Sequence, residues 1–135
     1  MIENYYKYKV KYKDYIIMMK YGNFYETLDN DALIMNKLFD YKLTKLSNTF
    51  KVGFPILSLN SVLDKLNKYS INYIVIDEDI ISEFEINNYS NYSFDLNIIK
   101  YNLLTIKEIT KYLNDNLLNN NITSKLDRIK DIIYE

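Results

Sequence analysis

The sequence predicts an α+β fold. Segments with the period of a strand alternate with segments of helical period over residues 1–104, whereas residues 105–135 carry helical spacing alone. The chain has 135 residues, 48% of them apolar, enough for one packed core but not for two full domains. The expected organisation is therefore a domain over residues 1–104 followed by a C-terminal helical hairpin over residues 105–135.

The first element is ambiguous. Residues 6–13 alternate apolar or aromatic side chains with Lys, which fits a strand, yet Tyr5, Tyr8, Tyr12 and Tyr15 also fall at helical steps of three and four. Residues 15–20 form an apolar, β-compatible run that ends at Gly22, and alternation resumes over residues 24–28, reading as strand, tight turn, strand. Asp29 opens a helix, with Asp31 in its first turn where the helix dipole favours an anion and Ala32, Met35, Leu38 and Phe39 on one face. Residues 41–46 and 50–54 read as extended pieces, the second ending at Gly53 and Pro55. Residues 58–69 have helical spacing, with Leu59, Val62, Leu63 and Leu66 inward. Residues 73–76 are a continuous apolar run suited to a central strand, which then meets Asp77, Glu78 and Asp79. Phe84 and Ile86 alternate with Glu83 and Glu85, residues 87–93 form a polar loop, and residues 94–98 alternate as a further strand. Thr105 and Glu108 have the spacing of a capping box that would open a helix. The Asn-rich residues 119–121 end it, and Ser124 starts the last amphipathic helix.

Composition narrows the chemistry. Cysteine and histidine are absent, which removes disulfides, thiol nucleophiles, the usual zinc ligand sets and the side chain that most often moves protons near neutral pH. Two glycines cannot make a phosphate loop. A magnesium site on Asp77, Glu78 and Asp79 lacks a second carboxylate group to complete it. No metal, cofactor or enzymatic activity is expected. No apolar run approaches a membrane span, so a soluble, cytoplasmic protein is expected. Asn, Ile, Lys and Tyr make up 68 of the 135 residues; all four have A/T-rich codons, so the tyrosines and lysines carry little functional weight. Gly22, Gly53, Pro55 and Ala32 are scarce residue types and each is expected to have a structural reason. Residues 1–68 carry 11 Lys against 7 acids and residues 69–135 carry 6 basic against 11 acidic residues, which makes the first half the candidate face for a polyanion.

The most specific segment is Gly22-Asn23-Phe24-Tyr25-Glu26. It resembles the Gly-Asp-Phe-Tyr-Glu motif of the N-terminal mismatch-recognition domain of the MutS DNA mismatch repair proteins. The apolar run of residues 15–20, Asp31-Ala32, Leu43-Thr44-Lys45, Gly53-Phe54-Pro55, Leu63-Asp64-Lys65-Leu66 and residues 73–76 fall in step with the same pattern. The resemblance covers residues 5–80, and more loosely the segment near residue 96. It implies a helix over residues 5–13, a mixed β-sheet flanked by helices, and a Phe-bearing strand that projects its ring beyond the sheet. It further implies a non-enzymatic module that probes mismatched or distorted double-stranded DNA, with Phe24 as a minor-groove wedge and Glu26 as the carboxylate that bonds the displaced base. An anion beside phosphates is unfavourable unless it is protonated or bonded to a base donor, so Glu26 rewards a base that completes that bond. Lys42 and Lys45 are candidate phosphate contacts, and Gly22 and Gly53 are read as turn residues needing unusual backbone angles. Asn23 departs from the family's Asp, the loop over residues 47–51 is shorter, and the family's connector, lever, clamp and ATPase regions have no counterpart in these residues. Alone, such a sensor should bind DNA weakly unless it oligomerises or a protein partner holds it. The alternative is a protein-interaction or regulatory module that keeps the fold but not the DNA reading.

Overall fold

The computed structural model describes every residue except Met1, Ser47 and Asn87; Ser47 and Asn87, which begin the expected short loop and polar loop, lie outside the described residues. The chain forms two compact units, Met1–Phe94 and Asp95–Glu135.

In the first unit the ambiguous N-terminal segment is a helix, α1 (Ile2–Lys11). The steps of three and four prevail because they put Tyr5, Tyr8 and Tyr12 on one side, where Tyr5 is buried and the others pack around it. Strand β1 (Ile16–Tyr21) turns through Gly22 and Asn23 into β2 (Phe24–Leu28), which leads to α2 (Asp29–Phe39). A two-residue β3 (Thr44–Lys45) precedes β4 (Phe50–Pro55), a 3-10 turn (Ile56–Ser58) and α3 (Leu59–Lys68). Strands β5 (Tyr73–Asp77) and β6 (Asp79–Phe84) follow, then a second 3-10 turn (Tyr89–Tyr92). The six strands form one mixed sheet in the order β3-β4-β2-β1-β5-β6, with β1 and β5 parallel and the other pairs antiparallel.

Side chains alternate between the faces of this sheet. One face places Ile17, Met19, Leu28, Ile74 and Ile76 against Tyr5 of α1. On the other, Tyr25, Phe54 and Tyr41 form a continuous aromatic stack, with ring centroids 5.8 Å apart at each step, and Phe39 at the end of α2 extends it. Lys65 of α3 lies over the Phe39 ring, 4.9 Å from its centroid.

The helix at Asp29 starts differently from the sequence expectation. Asp29 has φ +50° and does not cap the helix; its carboxylate accepts from Tyr6 Oη at 2.6 Å and from Thr49 Oγ1. Asp31 is fully buried. It accepts from Lys9 Nζ at 2.8 Å, Tyr89 Oη at 2.7 Å, the Ile17 amide at 3.1 Å, and Tyr5 Oη. Burial pushes the Asp31 carboxyl up, against the pull of Lys9 and the hydroxyl donors. Burial, reinforced by Asp31, raises the Tyr5 and Tyr89 hydroxyls, which therefore remain protonated donors. These bonds fasten α1, β1, α2 and the turn at Tyr89 to one point.

The second unit departs from the sequence reading. The strand expected over residues 94–98 is instead the start of α4 (Leu96–Asp115), and the helix runs through the position where the expected division after residue 104 fell. Asp95 is the reason: its carboxylate accepts from the Asn97 and Ile98 amides at 3.0 and 3.2 Å and nucleates the helix. Thr105 is then mid-helix, its hydroxyl bonded back to the Tyr101 carbonyl at 3.0 Å rather than capping. The last helix, α5, spans Ile122–Ile133, opening two residues before Ser124. Among the described residues, no helix is long and apolar enough to cross a membrane.

Candidate nucleic-acid interface

The hairpin of β1 and β2 builds the site. Tyr21 faces Phe24 across a two-residue turn. Gly22, at the first central position, has φ +61°, while Asn23 does not share the positive angle, the pattern of a type II′ turn. A Cβ added at Gly22 would meet nothing within 4 Å, so the glycine is required by its backbone angle alone. Gly22→Ala should therefore lower stability by about 1–2 kcal/mol, seen as a lower urea midpoint with an unchanged slope.

Phe24 is the first residue of β2 and stands 47% exposed, whereas its neighbour Tyr25 is 3% exposed. The ring thus lies outside the core, and the anchored member of the pair is Tyr25. Phe24 is flanked in register by Tyr21 and Pro55. The amide of Ile56, just beyond Pro55, donates to the Asn23 carbonyl at 3.1 Å and holds the turn to the end of β4. Tyr21 and Leu57, at the same end, are 61% and 97% exposed; the sequence reading missed both, because Tyr21 falls between two of the segments that carry the motif pattern and Leu57 just beyond another.

Glu26 shares the Phe24 face, two residues along β2. It is largely buried, and its carboxylate lies 3.7 Å from Lys51 Nζ. Lys51 was also missed in the sequence, because the pairing depends on the β2–β4 register, which sets Glu26 opposite Gly53 and Leu28 opposite Lys51. That register corrects the reading of Gly53. It lies inside β4 rather than in a turn, and a Cβ there would meet Glu26 Cγ and the Tyr25 carbonyl at 3.7 Å, ordinary van der Waals contact, so neither space nor backbone angle demands glycine there. Pro55 ends β4 with φ −61° and leads into the 3-10 turn. A groove of about 500 Å³ runs from Ile2, Glu3 and Asn4 of α1 to Tyr21, Glu26 and Lys51.

Lys42 and Lys45 are exposed but lie away from Phe24. Lys45 on β3 is opposite Phe50, five residues along β4 from Pro55, or about 17 Å at strand rise. Closer to the hairpin end is a groove of about 810 Å³ lined by Lys7, Lys11 and Lys20 together with Glu78. The helical form of α1 explains how Lys7 and Lys11 come to share a face while Lys9 turns inward to Asp31. Asp77 pairs with Lys20 at 3.3 Å, and Glu78, with φ +63°, forms the turn into β6. Lys20 is thus paired with Asp77 and Lys51 with Glu26, and Glu78 lines the same groove as Lys7 and Lys11, so acids and lysines are mixed around the hairpin.

Comparison with known proteins gives this arrangement a family. The DNA mismatch repair protein MutS of Pseudothermotoga lettingae is 35% identical over 78 residues, which is 58% of this chain and 10% of that protein. The protein of the same name from Thermosipho melanesiensis is 39% identical over 66 residues, 49% of this chain and 8% of that protein, and that from Thermotoga maritima is 32% identical over 78 residues. The chain therefore spans about a tenth of the length of the curated relatives it matches. The family model for MutS domain I matches residues 1–84, which takes in all six strands and stops before Asp95. With more than half of its length under that model, the chain belongs to the MutS domain I family.

Proposed function

We propose that this chain is a non-enzymatic DNA-binding module that probes mismatched or distorted duplex DNA by inserting Phe24 into the minor groove. The observation that carries this reading is the exposed Phe24 ring at the end of a hairpin whose next residue, Tyr25, is locked into the aromatic stack behind it. A ring so held can enter a base step without first leaving the core. Insertion costs unstacking energy, which is smallest where pairing is already weak. Stacking on the freed base returns about 1–3 kcal/mol whichever base it is, so the ring senses deformability rather than sequence.

Glu26 lies on the same face as the wedge and would accept from a displaced base. Lys51 offsets its charge beside phosphates, and a base donor must compete with Lys51 for it. Lys42 and Lys45 would reach phosphates some distance from the wedge. With acids and lysines mixed around the hairpin, binding by a single copy should be weak and salt-dependent.

The test is a fluorescence-anisotropy titration of mismatched, bulged and fully paired duplexes at low and moderate salt. The chain should favour the flawed duplexes, and Phe24→Ala should remove about 1–3 kcal/mol of that preference, roughly 5- to 150-fold in affinity, while leaving the fold intact. Equal affinity for all duplexes, unchanged by Phe24→Ala, would overturn the reading.

The mixture of acids and lysines around the hairpin favours a second reading, a protein-interaction module that retains the fold without reading DNA. Purification from the native host separates the two: a stoichiometric protein partner with no nucleic acid supports the second.

A further inference from the structure

We propose that α4 is a homodimerisation helix, which pairs antiparallel with α4 of a second copy about a two-fold axis at Thr105. Two helices cannot enclose a core by themselves, and α4 contains no buried residue. Four of its exposed apolar side chains, Ile98, Tyr101, Ile109 and Tyr112, follow with the half-buried Thr105 between them at steps of three, four, four and three and form one stripe along the helix, with the exposed Leu104 and Ile106 to either side of it. Ile98, Tyr101, Ile109 and Tyr112 are 56%, 68%, 48% and 45% exposed; Tyr112, at the end of the stripe, accepts from Lys125 Nζ of α5, which lies over its ring, and offers its remaining surface.

The stripe is symmetric about its centre. Tyr101 and Ile109 stand four residues either side of Thr105, and Ile98 and Tyr112 stand seven. An antiparallel copy with its axis at Thr105 therefore sets every tyrosine opposite an isoleucine, the self-complementarity that an isologous interface requires. A parallel copy would instead set tyrosine on tyrosine and isoleucine on isoleucine. The centre of the stripe leaves no polar group unmet, because the Thr105 hydroxyl is already bonded to the Tyr101 carbonyl.

The symmetry of the stripe identifies the occupant as a second copy, and charge permits it. Residues 95–135 hold six basic and six acidic side chains, so two copies meet without net repulsion. The paired stripe is about 21 Å long. Its four large side chains on each copy bring on the order of 1,000 Å² out of water across the pair, the lower bound for a specific interface. A reversible dimer in the micromolar range follows. Two copies would also carry two wedges, a bivalence that raises avidity for DNA, but the dimer itself does not depend on the DNA reading.

Sedimentation of the purified full chain tests the pairing. The wild type should sediment at twice its 16.2 kDa at micromolar concentration and dissociate on dilution. Tyr101→Glu and Ile109→Lys should each weaken the dimer roughly tenfold or more with helix content unchanged by circular dichroism. The double variant should recover it, because positions 101 and 109 of opposite copies face each other. Since the chain has no cysteine, Thr105→Cys should form a disulfide-linked dimer under mild oxidation, and Lys107→Cys, on the opposite side of α4, should not. A wild type that stays monomeric, a dimer indifferent to the single substitutions, or singles that the double variant does not rescue would each overturn the proposal.

Discussion

Asp31→Ala should cost the fold about 3–5 kcal/mol, enough to unfold a marginally stable domain of this size at moderate temperature. The substitution removes one shared acceptor from the Lys9 ammonium, the Tyr5 and Tyr89 hydroxyls and the Ile17 amide at once, although Lys9 still reaches the Tyr15 carbonyl at 2.6 Å and Tyr5 the Leu28 carbonyl at 3.5 Å. Urea unfolding followed by far-ultraviolet circular dichroism measures the loss. Tyr89→Phe isolates one donor and should cost only about 1 kcal/mol, with faster amide exchange concentrated in the turn at Tyr89–Tyr92. An Asp31→Ala variant as stable as the wild type would mean that these bonds merely compensate for desolvation.

Tyr25→Ala should also be severe, at about 3–5 kcal/mol, whereas Phe24→Ala should change stability by less than about 1 kcal/mol. The two rings are sequence neighbours, but Tyr25 is buried against Phe54 with centroids 5.8 Å apart and Phe24 is half-exposed. Parallel urea titrations of both variants provide the check, and similar losses would mean that Phe24 is part of the core and cannot serve as a wedge. The contrast also protects the DNA experiment, since a change in affinity on Phe24→Ala could then not be ascribed to unfolding.

Most of the sheet was legible because its strands carry local signals: the apolar run before Gly22, the alternation after it, and the buried run at residues 73–76. The first helix was legible only through resemblance, since its Lys-Tyr alternation mimics a strand while its packing obeys the tyrosine steps of three and four. The strand expected over residues 94–98 shows the reverse error. Five alternating residues outweighed a good N-cap at Asp95, although one capping carboxylate with two amides is the stronger physical signal. What could not be read at all was long-range. The partners of Asp31 are 14 to 58 residues away, and the Glu26–Lys51 pair exists only through a strand register that no local pattern specifies. The wedge candidate Phe24 was thus visible from its motif, whereas the lysine beside the Glu26 carboxylate was not.

The two outer strands have a consequence for how this β-prone chain behaves at high concentration. At one margin β3 is only two residues long; at the other β6 carries Asp79 and Glu83 on either side of a register irregularity opposite Val75/Ile76. A short border and a charged, kinked border both present poor templates for strand addition. Concentrated solutions should therefore resist fibre growth despite nineteen isoleucines and fifteen tyrosines, leaving helical surfaces as the route by which copies meet.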